Sequence, residues 1–125
     1  MLRTIGAILA GLVLWILVAT ILDIGVRQAI PAYHAAEATL AFTLTMKLAR
    51  LALAAFASIA AGAVAQKIAP ASRVVPWIVG IVLLALFLPE HIRIGARLPV
   101  WYHLFFLATL LPFIGLGALV VRRRA

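Results

Sequence analysis

Four long apolar stretches divide the chain, and the ionisable residues fall between them or toward their ends. They cover about residues 4–26, 43–66, 74–92 and 100–121. A helix of roughly 20 apolar residues crosses the hydrocarbon core of a bilayer. None of the stretches alternates with a period of two, which argues against a spanning β-barrel. Pro31, Pro70, Gly95 and Pro99 punctuate short connections. The pattern predicts an all-α membrane protein, a single integral domain over residues 1–125 built as a four-helix transmembrane bundle. Pro89 and Pro112 are expected to kink or end their helices.

Composition supports this reading. Of 125 residues, 67% are hydrophobic and 11% charged, against about 25% charged in soluble domains. A soluble fold of this content would expose a large apolar surface. The first stretch exceeds the h-region of a cleaved signal peptide, about 7–15 residues, and lacks a small-x-small cleavage site, so it is read as a retained span. With no cysteine, disulfides and thiolate chemistry are excluded.

The net charge of +8 is spread over the flanks of apolar blocks. That placement marks topology, not nucleic-acid binding. Arg3, Lys67, Arg73, Arg122, Arg123 and Arg124 fall on one side, and Arg27, Arg93 and Arg97 on the other. The positive-inside rule then puts both termini in the cytoplasm, most simply at a bacterial inner membrane. Arg122, Arg123 and Arg124 read as a stop signal that anchors on lipid headgroups. Trp77 on the inner rim, with Tyr33, Trp101 and Tyr102 on the outer rim, fits aromatic belts.

This topology gathers every carboxylate and histidine, namely Asp23, His34, Glu37, Glu90, His91 and His103, on the outer side. At about 1.5 Å of rise per residue, separate counts along the four helices bring Asp23, Lys47, Arg50, Glu90 and His103 to similar depth. A polar outer-rim site is therefore expected from Asp23, Arg27, Lys47, Arg50, Glu90, Arg93 and His103. Arg50 is the most costly of these to hold at a hydrocarbon edge, and a pairing with Asp23 or Glu90 is expected to offset that cost. The two halves echo each other. Asp23, Arg27, Pro31, Tyr33 and His34 run in the same order as Glu90, Arg93, Arg97, Pro99, Tyr102 and His103, though with different spacings.

Small residues recur at helical spacing in Ala7 and Gly11, in Ala54, Ser58 and Gly62, and in Gly115 and Gly117. They suit close helix packing within the chain, or else a homo-oligomer seam. His34, Glu37, His91 and His103 are candidate metal ligands, and two of the histidines could ligate haem. No HExxH-type motif sharpens either cofactor. Ser58 is deep and Ser72 lies on the opposite side, so neither makes a nucleophile with a rim histidine. Small multidrug transporters and fluoride channels share this size and span number. The chain lacks the former's mid-span acid and the latter's Asn- and Gly-rich pattern.

The expectation is a non-enzymatic accessory or interaction subunit with a polar outer rim. Its partners would be the bilayer, lipid headgroups, and a membrane protein or second copy. The alternatives are a metal- or haem-binding membrane protein and a small oligomeric transporter or channel.

Overall fold

The computed structural model describes residues 2–37, 42–95 and 98–124, apart from the side chains of His34, Glu37 and Arg124. The described residues form five helices and no strand: α1 Leu2–Ala29, α2 Pro31–Glu37, α3 Leu44–Ile68, α4 Val75–Ile94 and α5 Val100–Arg124. Four of them are long and apolar enough to cross a membrane. They coincide with the four apolar stretches and extend past most of their expected ends. Pro89 and Pro112 both sit inside continuous helices, so neither terminates one.

Local chemistry sets the helix ends. Ile30 precedes Pro31, a position that disfavours helix, and Pro31 opens α2, where its missing N–H costs nothing. Thr43 caps α3 by accepting from Met46 N at 3.2 Å. At the far end of α3 the buried Gln66 Nε2 donates to the carbonyls of Ala69, Pro70 and Ser72, at 3.1, 3.3 and 2.8 Å. Ser72 Oγ then accepts from Val74 N and Val75 N to start α4. Gly95 ends α4 at φ 51°, a left-handed value that favours glycine.

The packing places many small residues inside and many large apolar ones outside. Ala7, Ala57, Ala61 and Ala65 are fully buried, while Leu9, Ile21, Phe56, Ile81, Leu86 and Leu104 face outward. An apolar exterior over a small-residue interior is what association inside a bilayer requires, because van der Waals contact replaces the hydrophobic drive. α3 is the central helix and packs most extensively on α5 and α1. At the α3–α5 crossing, a Cβ on Gly62 would lie 1.9 Å from the carbonyl oxygen of Ile114, and one on Gly117 would lie 1.9 Å from that of Ile59. Ala54, Ser58 and Gly62 are all buried within the chain, so these small residues serve packing inside it.

Candidate functional site

The opposite end of the bundle is polar. Here the ends of α1 and α4, the starts of α3 and α5, and the short α2 converge. Arg50, near the start of α3, organises them. Its Nη1 donates to the Tyr33 hydroxyl at 2.7 Å and its Nε to the Tyr102 hydroxyl at 3.0 Å. Its guanidinium carbon lies 4.9 Å from the Phe42 ring centroid, a cation–π contact. The Tyr33 hydroxyl in turn donates to Asp23 Oδ1 at 2.8 Å. Asp23 Oδ2 meets Arg27 Nη2 at 3.2 Å, one helical turn along α1. The order Arg27, Asp23, Tyr33, Arg50, Tyr102 is thus one continuous network across α1, α2, α3 and α5.

Tyr33 is its pivot. Burial pushes its phenol above the ordinary range, and the Asp23 hydrogen bond adds to that, while Arg50 opposes both. Its ring stacks on Phe42 with centroids 5.4 Å apart. Together with Met46, Leu51, Leu98 and Tyr102, these rings form a small core of their own at this end.

A second polar pair joins α4 to α5. His91 Nδ1 lies 2.6 Å from His103 Nδ1, and His103 Nε2 lies 2.9 Å from the carbonyl oxygen of Gly95. Glu90, beside His91, bonds Arg93 on the exposed flank of α4. Toward the bundle interior, Trp15 Nε1 donates to Ser58 Oγ at 3.0 Å, and Ser58 donates back to the Ala54 carbonyl at 2.7 Å. Trp15 also packs on Phe87, with centroids 4.7 Å apart.

Between these groups is a cavity of about 520 Å³. Arg50, Asp23, Arg27, Glu90, His91 and Tyr102, with Thr20, supply its polar lining. Trp15, Leu53, Phe87, Ile94, Leu98 and Phe106 supply much of its apolar wall. Amphipathic lining of this kind suits a molecule with a polar head and an apolar body.

Asp23, Arg27, Arg50 and Glu90, all expected at the rim, meet at this cavity. His103 reaches it only through His91, Arg93 is turned outward, and Lys47 is not among the lining residues. Arg97 and the side chains of His34 and Glu37 lie outside the described residues. Among the described residues no three metal-binding side chains cluster. Two expectations need correction. Arg50 contacts neither Asp23 nor Glu90 directly, because the Tyr33 hydroxyl stands between it and Asp23. Tyr33 and Tyr102 are not belt residues either: they are 0% and 2% exposed, whereas Trp77 and Trp101 remain exposed. The signal for both tyrosines was the Tyr-His echo, in which each follows a proline and an acid–arginine pair. No family model, curated protein or solved structure matches the chain.

Proposed function

We propose that this is a non-enzymatic, multi-pass protein of the bacterial inner membrane, with both termini cytoplasmic, that binds the polar head of a membrane amphiphile at its outer end. The carrying observation is Arg50. It is held between two tyrosine hydroxyls, with no carboxylate in direct contact among the described residues, on the wall of an amphipathic cavity. Both oxygens of Asp23 are already committed, to Tyr33 and Arg27. A cation at a hydrocarbon edge without a contacting counter-group favours any ligand that brings hydrogen-bond acceptors. The interior beyond Trp15 supports binding over passage, since Ser58 is satisfied there by Trp15 and Ala54.

Native mass spectrometry from mild detergent tests this reading. The intact chain should retain an amphiphile-sized adduct. Tyr102→Phe, which keeps the ring and removes one hydroxyl, should lose most of it. A wild-type chain without adduct, or an adduct indifferent to Tyr102→Phe and to Arg50→Gln, would sink the proposal. The same spectra report whether a second copy or another subunit accompanies the chain, as an accessory role requires.

A further inference from the structure

Hydrogen-bond directions around the cavity fix more than its polarity. The Gly95 carbonyl can only accept, so His103 Nε2 carries a proton toward it. In a neutral imidazole this leaves His103 Nδ1 as an acceptor. His91 Nδ1, 2.6 Å away, is then the donor. By the same logic His91 Nε2 is a bare lone pair. It has no partner among the described residues, and its ring lines the cavity. On α3 and α5 the remaining capacity is of the other kind. Arg50 Nη2 and the Tyr102 hydroxyl proton are donors without an acceptor among the described residues. Beside the ion-paired Asp23, Arg27 and Glu90, the cavity therefore presents donors from α3 and α5 and an acceptor from α4.

Three further features narrow the ligand. The charged lining residues are Asp23, Glu90, Arg27 and Arg50, which cancel, so the site is matched to a neutral head. Five lining residues carry flat rings: Trp15, Phe87, His91, Tyr102 and Phe106, a wall that favours stacking on another ring. An apolar groove of about 350 Å³ between α1 and α3 shares Leu53 with the cavity and is floored by Gly25, Ala49 and Ala52. Its apolar lining beside Leu53 suits a tail that leaves the cavity on this side.

Resting on the amphiphile reading above, we infer that the head is a neutral aromatic ring with oxygens on opposite edges and an apolar tail, an isoprenoid quinone, bound preferentially in its reduced dihydroxy form. One ring oxygen accepts from Arg50 and Tyr102. The hydroxyl on the opposite edge donates to His91 Nε2. The oxidised ring has no proton for His91 and loses that bond. One neutral hydrogen bond corresponds to a preference of roughly fivefold.

The test uses the full chain in phosphatidylcholine nanodiscs, with Trp77→Phe and Trp101→Phe so that Trp15 is the sole tryptophan. A short-chain ubiquinone should quench Trp15 fluorescence saturably. Its anaerobically reduced form should displace it at about fivefold lower concentration. Tyr102→Phe should weaken both forms by roughly tenfold. His91→Phe, which keeps a ring in the wall, should abolish the preference. Absence of saturable quenching, or a preference surviving His91→Phe, overturns the inference. A short-chain phosphatidylglycerol that binds in a Tyr102-dependent way while the quinone does not would overturn the ring and leave the amphiphile reading standing. Failure of both ligands removes both.

Discussion

Around Gly62 and Gly117, two helices touch backbone to backbone; around Arg50, four helices are joined by long side chains that bond beside a cavity. The first region gains stability from dispersion over a close, featureless contact. The second gains it from directional bonds whose partners must be present as a set. Only the second leaves room and unused hydrogen-bonding capacity. A bundle can afford such an end because the other end supplies most of the packing.

Changing the contact region should cost most. Gly62→Leu places a side chain where even a Cβ would lie 1.9 Å from the Ile114 carbonyl oxygen. The helices must separate along their length, with an expected loss above about 4 kcal/mol. Thermal unfolding in detergent, followed by the loss of a monodisperse elution peak, measures it. If Gly62→Leu folds normally, the α3–α5 contact is not the anchor of the bundle.

Next in size is Arg50→Met. It removes two charge-assisted bonds and leaves the Tyr33 and Tyr102 hydroxyls without their donor. The expected loss is about 3 kcal/mol. Tyr33 keeps Asp23 as its acceptor, so the α1–α2 corner should persist. Arg50→Lys should recover only part of the loss, because an ammonium cannot serve both hydroxyls in the same fork. Equal stability of both variants and the wild type would mean that the polar end contributes function without holding the fold. Trp15→Phe is smaller again, about 1 kcal/mol, since it deletes one neutral hydrogen bond and keeps an aromatic ring against Phe87.

The same contrast explains what could be read from residues alone. The number and extent of the four long helices were legible because apolar run length is a one-dimensional property, whereas the short α2, Pro31–Glu37, was not expected. Counting rise along separate helices brought Asp23, Arg50 and Glu90, which line the cavity, to one depth, and Lys47 and His103, which do not, to the same depth. Which groups bond was not legible. Asp23 and Arg50 are opposite charges at one depth, and pairing them is the simplest guess. Tyr33 takes the place between them because Pro31 starts a new helix and turns the chain back over α1. Helix rise gives depth, not azimuth, so the inward rotation of Tyr33 and Tyr102 was out of reach, and their amphipathic rings fitted the interface equally well. The inward use of Gly62 could be anticipated from spacing, but its backbone contact at Ile114 depends on the crossing point of α3 and α5.

pH separates the two regions by another route. Tyr33 is buried, with its phenol raised above the ordinary value of 10.0. Above that value the unfolded chain gives up the proton while the folded chain keeps it. Folded protein then binds more protons than unfolded, so its stability is intact below the ordinary value and falls as pH rises beyond it. The wild type should lose more stability than Tyr33→Phe between about pH 9 and about pH 11. Parallel losses in the two proteins would mean that Tyr33 is not linked to folding.

The smallest effect belongs to the outward face of the polar end. Glu90 and Arg93 form an i,i+3 pair whose side chains are 51% and 76% exposed. Water and salt screen such a pair, and ordering two long side chains costs entropy. Arg93→Ala should therefore change stability by less than about 0.5 kcal/mol. The value of this variant is in what it isolates. Glu90 lines the cavity, whereas Arg93 does not. Removing Arg93 frees the Glu90 carboxylate and shifts the balance of charge at the cavity mouth by one unit without touching the Arg50 network. If the head is bound through neutral hydrogen bonds, amphiphile retention in native mass spectra should be nearly unchanged. If retention falls sharply while stability holds, the head is read by charge, and the rim and the cavity act as one electrostatic site.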